Sequence, residues 1–315
     1  MSRKQEILDR LDLDLPVVAS PMFIVSGPGL VTSASNAGIL GTFPALNQRS
    51  TEGFDEWCQQ INDELGGKAY GVNLIVHRTN PRVEADLRIC VKNKVPIIIT
   101  SLGAVKEVVQ AVHSYGGLVF HDVTNSYHAQ KAIDAGVDGL VLVAAGAGGH
   151  GGTLNPMPFV HEIRDMYDGL ILLAGCISNG RDIASTMQMG ADLAYMGTRF
   201  INTHEARAPE DYKKMIVDSG TKDIVYTAAI SGIKGNYMKA SLESAGIPEE
   251  MWSSEAKIEL GKKLDSEAKA WVDTWSAGQG VASIKDSLAT ADLVARLKEE
   301  YRAALSEQSE RLSKL

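Results

Sequence analysis

The chain has 315 residues, of which 44% are hydrophobic, 22% charged and 6% aromatic, with 30 glycines and a net charge of −8. At roughly 150 residues per domain the length allows two domains or one α/β barrel with an addition, and the hydrophobic share excludes disorder as the main state. An acidic chain without a Lys/Arg run lacks the electrostatic footprint of a nucleic-acid binder.

Ser2 to Pro16 carries charges throughout and has no apolar stretch of signal-peptide length, and nowhere does an apolar run approach 18 residues. Cys58, Cys90 and Cys176 are scattered and form no CxxC pair, so free thiols and a reducing, cytoplasmic setting are expected, with no metal site. From Pro16 to about Thr227 one pattern repeats: a short apolar run, a Gly/Ser/Asn-rich turn and a helical segment. The runs are Val17–Ala19, Gly38–Thr42, Ala69–Ile75, Val95–Ile99, Leu118–Phe120, Gly139–Val143, Leu170–Ala174 and Leu193–Met196. They are continuously apolar, as strands covered on both faces should be. Helical candidates between them include Thr51–Leu65, Val105–His113, Ser126–Ala135, Asn179–Gly190 and Pro209–Ser219. Strand–helix alternation implies a parallel sheet, and eight runs match a TIM (β/α)8 barrel better than an open sheet.

After Thr227 the composition changes, which divides the chain into a barrel over residues 1–227 and a smaller, mainly helical portion over 228–315. There the stretch from Ser231 to Pro248 reads as loop, and residues 249–315 read as helices interrupted at WSAGQGV. Leu288, Leu293, Leu297, Tyr301 and Leu305 form an apolar stripe for packing onto the barrel, with a homodimer contact as the alternative.

Candidate chemistry clusters at the strand exits. LAGCISNGRDI and DLAYMGTRF place Gly175, Gly180, Gly197 and Thr198 after the last two strands, where backbone N–H groups and a helix opening near Asn179 describe a phosphate cradle. His150 stands among Gly146, Gly148, Gly149, Gly151 and Gly152 after the sixth strand. Its imidazole titrates near neutrality and can take a proton from a weak carbon acid, while Gly148 and Gly149 let backbone approach a flat ligand. No HExxH or neighbouring second His supports a zinc reading. His77 and His121 also lie at strand ends, where lining the site and simple packing are both open. Asn73 and Ser101 sit at strand exits, where a heterocycle edge or the backbone can satisfy them.

Five segments together resemble the nitronate monooxygenase family, formerly 2-nitropropane dioxygenase: ASPM at Ala19–Met22, GVN at Gly71–Asn73, AGGHGG at Ala147–Gly152, AGCISNG at Ala174–Gly180 and YMGTRF at Tyr195–Phe200. The resemblance implies an FMN-binding TIM barrel. In it Ala19, Ser20, Pro21 and Met22 pass beside the flavin ring, Asn73 meets its polar edge, and Gly175, Cys176, Gly197 and Thr198 hold the phosphate. His150 matches the family's catalytic histidine. The chain departs from the family at Cys176, where a glycine is usual, at Val143–Gly146, which replace a Gln-Gly-x-Glu, and in HDVTNS, which lacks the family's lysine.

The implied reaction is oxidation of a small nitronate by O2 to a carbonyl compound and nitrite, with no nucleic-acid or membrane partner. The alternative is an NAD(P)H-dependent flavin reductase acting on a quinone or enoyl substrate, although no GxGxxG provides a separate dinucleotide domain. The cradle is also similar to that of IMP dehydrogenase and GMP reductase, which need a loop cysteine, and here only Cys176 lies near. A barrel that binds phosphate without catalysis is the non-enzymatic alternative.

Overall fold

In the computed structural model, which describes residues 2–103, 106–230, 232–252 and 274–314, the strands are β1 (Val17–Ala19), β2 (Leu40–Pro44), β3 (Tyr70–Ile75), β4 (Ile97–Ser101), β5 (Leu118–Val123), β6 (Gly139–Val143), β7 (Gly149–His150), β8 (Leu170–Ala174), β9 (Leu193–Met196), β10 (Ile224–Thr227) and β11 (Gly235–Met238). The helices are α1 (Arg3–Leu11), α2 (Pro28–Asn36), α3 (Thr51–Leu65), α4 (Val83–Lys92), α5 (Lys106–His113), α6 (Ser126–Ala135), α7 (Pro156–Met166), α8 (Gly180–Gln188), α9 (Thr198–Ile201), α10 (Glu210–Asp218), α11 (Lys239–Ser244) and α12 (Thr290–Leu312). Two helical expectations fall partly outside the described residues: Val105, and the segment 253–273.

Strands β1 to β6, β8 and β9 form a closed parallel barrel, sealed where Val18 pairs with Tyr195 and Ala19 with Met196. The eight apolar runs are these eight strands, so the expected (β/α)8 barrel is the observed one. Alternation along each strand sorts its side chains into two layers. Val18, Leu40, Ile97, Ile99, Phe120, Val141, Leu172 and Leu193 fill the barrel, with Ile7 and Leu11 of α1 closing its amino-terminal end. Val17, Val72, Ile98, Val119, Leu140, Ile171 and Ala194 face outward beneath the helices. Helix α1 is started by Ser2, whose side chain accepts from Gln5 N, and Arg3 is tied to Asp138 at the foot of β6.

One feature was not anticipated. Strands β10, β11 and β7 make a small antiparallel sheet, in order β10-β11-β7, that pairs Gly235 with His150 and Asn236 with Gly149. The division at 227 therefore falls between the two strands of a hairpin, and part of the stretch read as loop is strand. The apolar stripe behaves as expected of a packing face: Leu293 and Leu297 are buried, and α12 lies against α8 and α2. Leu288 precedes the helix and is bridged to Thr203.

The α8–α12 contact depends on one glycine. A Cβ at Gly180 would lie 2.3 Å from the backbone nitrogen of Tyr301 and 2.4 Å from Glu300 Cβ, and the Gly180 N–H is donated to Glu300 Oε2 at 2.7 Å. Gly180→Ala must push α12 away, at a cost of about 1–3 kcal/mol typical of overpacking. Thermal denaturation should show the midpoint a few degrees lower; an unchanged midpoint would mean that α12 is not seated on α8 as described.

Candidate active site

The carboxyl-terminal mouth of the barrel is built from backbone that comes unusually close. The exit of β6 contributes Gly146 and Gly148, that of β8 Gly175 and Cys176, and that of β9 Gly197 and Thr198. A fourth segment, Ser276–Gly280, lies against them. A Cβ at Gly148 would stand 2.9 Å from Gly278 N, and one at Gly278 would stand 2.7 Å from Gly146 O. Gly278 N donates to Thr198 Oγ1 at 2.8 Å and Gln279 N to Gly146 O at 2.9 Å. Gly280 is held as tightly, with Ser178 Oγ 2.6 Å from where its Cβ would be. This fourth segment is the WSAGQGV stretch, read from the sequence only as a helix break. Its two glycines in three residues, flanked by apolar residues, were the available signal.

The β1 exit joins the same mouth. A Cβ at Gly197 would lie 2.7 Å from Ser20 Oγ and 3.7 Å from Met22 Sδ, so Ser20 and Met22 border the β9 exit. The loop is fixed by Asn47, whose amide donates to Met22 O at 3.0 Å and to Ser26 O at 2.7 Å. Thus Ala19–Met22, Gly148, Gly175, Cys176, Gly197 and Thr198 are brought together. Cys176 has φ 59°, in the left-handed region that favours glycine, which accounts for a glycine being usual there. Gly180 is the exception. Its N–H is taken by Glu300, and α8 is capped internally, with the Asn179 side chain accepting from Asp182 N and Asp182 bonding back to the cap. With its helix opening occupied by two carboxylates, this glycine belongs to packing rather than to the cradle, which corrects the expectation for it.

Below the cradle lies a polar layer. Asn73 Nδ2 donates to Ser101 Oγ at 2.7 Å and to Ile99 O at 3.1 Å, and Ser101 Oγ donates to Asp122 Oδ2 at 2.5 Å. Asp122 was not singled out in the sequence because the HDV triplet reads as ordinary strand; its inward position follows from alternation with Leu118 and Phe120.

His150 is carried on β7, and the loop around it is pinned by Asn236 Nδ2 donating to Ala147 O at 2.6 Å and by the Tyr226 hydroxyl donating to Gly151 O at 3.0 Å. The ring keeps a side open to solvent, yet the surrounding protein pushes its pKa down to about 4, because a charged imidazole is poorly solvated there. His150 is therefore the neutral, proton-accepting form at pH 7. His121 points into the outer layer, bonded through Nδ1 to Thr100 Oγ1 at 2.7 Å, and His77 Nδ1 pairs with Thr79 Oγ1 at 2.8 Å within its own loop. His121 is thus buried by packing, while His77 is held within its own loop.

A profile of the family described as nitronate monooxygenase matches residues 43–300. The chain belongs to the nitronate monooxygenase family. Membership makes it an oxidoreductase of a flavin-dependent class. A nitronate monooxygenase from Paraburkholderia phytofirmans is 25% identical over 96% of this chain and 97% of its own length. A (3aS,4S,5R,7aS)-5-hydroxy-7a-methyl-1-oxo-octahydro-1H-indene-4-carboxyl-CoA dehydrogenase from Rhodococcus jostii is 27% identical over 72% of this chain; the match spans 63% of that relative's length. Among solved structures, FabK from Thermotoga maritima shares the fold at TM-score 0.81, with 19% identity over 97% of this chain and 98% of that one. A nitroalkane oxidase from Streptomyces ansochromogenes also superposes at TM-score 0.81, with 22% identity over 94% and 98%. Among the described residues of this nitronate monooxygenase family member, no helix is long and apolar enough to cross a membrane.

The His150 environment makes a direct prediction. Followed by NMR, its ring should remain on the neutral plateau at pH 5.5 and titrate with a midpoint near 4; a midpoint near the unperturbed value of about 6.5 would show a fully hydrated ring.

Proposed function

We propose that this chain is an FMN-dependent nitronate monooxygenase that oxidises small alkyl nitronates with O2 to a carbonyl compound and nitrite. The observation that carries the reading is the convergence of four glycine-bearing segments over a polar layer at the barrel mouth, in a chain of this family. The residues fit a flavin nucleotide. Gly148 and Gly197 keep the exits of β6 and β9 free of side chains, and a Cβ at either would run into Gly278 N or Ser20 Oγ, so backbone N–H groups are the groups these exits can offer a phosphate. Beneath it, Asp122 Oδ1 and the Tyr195 hydroxyl are buried without a protein partner, as the polar edge of a heterocycle would leave them.

FMN bound there would supply the electron transfer between substrate and oxygen. The chain's own residues do the rest. Gly175, Cys176, Gly197 and Thr198 would hold the phosphate, and Ser20–Met22 and Asn73 would border the ring. His150, neutral at pH 7, takes the α-proton of a nitroalkane onto a ring nitrogen and then faces the nitronate as a cation. The β7–β11 pairing keeps the imidazole from drifting, which matters because a general base must be placed within hydrogen-bond reach. All three cysteines are free thiols, in keeping with a cytoplasmic protein. The alternative, an NAD(P)H-dependent flavin reductase acting on a quinone or enoyl substrate, would use the same site.

Two variants test the assignment. Gly197→Asp places a carboxylate against Ser20 Oγ and in the phosphate position, so it should purify without FMN; full FMN content would contradict the cradle. His150→Asn should keep FMN yet lose activity on neutral nitroalkanes by about 10²–10⁴-fold, the usual contribution of a positioned base. On a preformed nitronate, which has no proton to lose, the fall should be much smaller. Equal losses on both substrates would make His150 an anchor, and rapid NADH oxidation with no activity on either substrate would favour the reductase.

A further inference from the structure

The polar layer under the cradle has a dead end. On the inward faces, Leu118 and Phe120 of β5 are followed by Asp122, Ile97 and Ile99 of β4 by Ser101, and Leu193 of β9 by Tyr195. Hydrogen bonds run from Asn73 through Ser101 to Asp122 Oδ2 and go no further. Asp122 Oδ1 and the Tyr195 hydroxyl remain buried with no partner. Among the described residues Asp122 enters no ion pair, and the groups around it are Ser101, Asn73, Tyr195 and, on the inward face of β6, Val141 and Val143. Among the described residues Tyr195 is the titratable group that feels the Asp122 charge, and burial together with that charge drives its pKa well above the usual range, so it stays neutral.

We propose that Asp122 is a positioning and proton-coupling residue for the flavin: its free oxygen faces the seat of the ring, and its carboxylate takes up a proton when the ring is reduced. The proposal rests on the FMN reading above. Its physical basis is repulsion between like charges in a site with little water. A bound ring that took up two electrons and one proton at alkaline pH would carry a negative charge in a site whose carboxylate, Asp122, has no ion-pair partner among the described residues. That charge raises the carboxyl pKa further, and the pKa already stands at about 6 from burial, with Ser101 pulling weakly the other way. Reduction of the protein-bound ring therefore consumes two electrons and two protons, one on the ring and one on Asp122 Oδ1.

The test is the pH dependence of the flavin midpoint potential, by dithionite titration of FMN-loaded protein around pH 8. Wild type should take up about two protons per two electrons and Asp122→Asn about one, with the variant at the higher potential because the repelling charge is gone. Equal proton uptake in the two proteins would overturn the proposal. Should Asp122→Asn fail to fold, proton release or uptake by wild type alone, read with an indicator dye during reduction, decides it: about one proton per two electrons overturns it. A wild-type protein that binds no FMN, judged by flavin fluorescence quenching, defeats the FMN reading itself and this inference with it, whereas bound FMN with equal uptake defeats only the role of Asp122.

Discussion

The structure depends on backbone meeting backbone at the mouth of the barrel. Gly278 fits between Gly146 O and Gly148 N, and its N–H is fixed by Thr198 Oγ1. Any side chain at these points would separate the exits of β6 and β9 from the returning carboxyl-terminal segment. That segment is held from both ends: Tyr212 donates its hydroxyl to Ser276 O, and the buried Arg199 bonds Asp286 at 2.8 Å. Ser276–Gly280 is thus a wall of the site as well as an addition to the barrel. Removing Asp286 would leave the buried guanidinium of Arg199 without its carboxylate, so this half-buried pair helps to hold the wall in place.

The electrostatics of the site follow from the same enclosure. Burial raises Asp122 to about 6, and poor solvation by the protein around the solvent-facing His150 lowers its imidazole to about 4. Both groups are pushed toward neutrality from opposite sides. A neutral imidazole at the rim and a carboxyl with a raised pKa on the floor give the site two groups able to accept a proton. A weak carbon acid and a redox-active ring both call for such groups.

Much of this was legible in the sequence, for physical reasons that also set its limits. A parallel barrel buries both faces of each strand, so Gly139–Val143, Leu170–Ala174 and Leu193–Met196 appear as unbroken apolar runs with sharp ends. His150 stood out because glycines surround it. Hidden were the features made by distant pairing. Strand β11 is only four residues, and its partners are β10, a few residues away, and β7, some eighty residues earlier, so no local pattern marks it. Ser276–Gly280 acquires meaning only where it touches Gly146 and Thr198. Gly180 misled because glycine at a helix opening serves an anion site and close helix packing equally well; only the position of Glu300 and Tyr301 distinguishes them. Asp122 was hidden by the period-two rule itself, which places it inside the barrel only once the register is known.

The central claim is that this barrel mouth performs flavin-dependent oxidation of a nitronate. It is tested most directly by mixing FMN-loaded protein with propane-2-nitronate in air, without any pyridine nucleotide, and following oxygen uptake together with nitrite release. Continuous oxygen consumption accompanied by nitrite is the predicted result. Absence of both, from protein whose FMN is bound and is reduced by NADH, would contradict it.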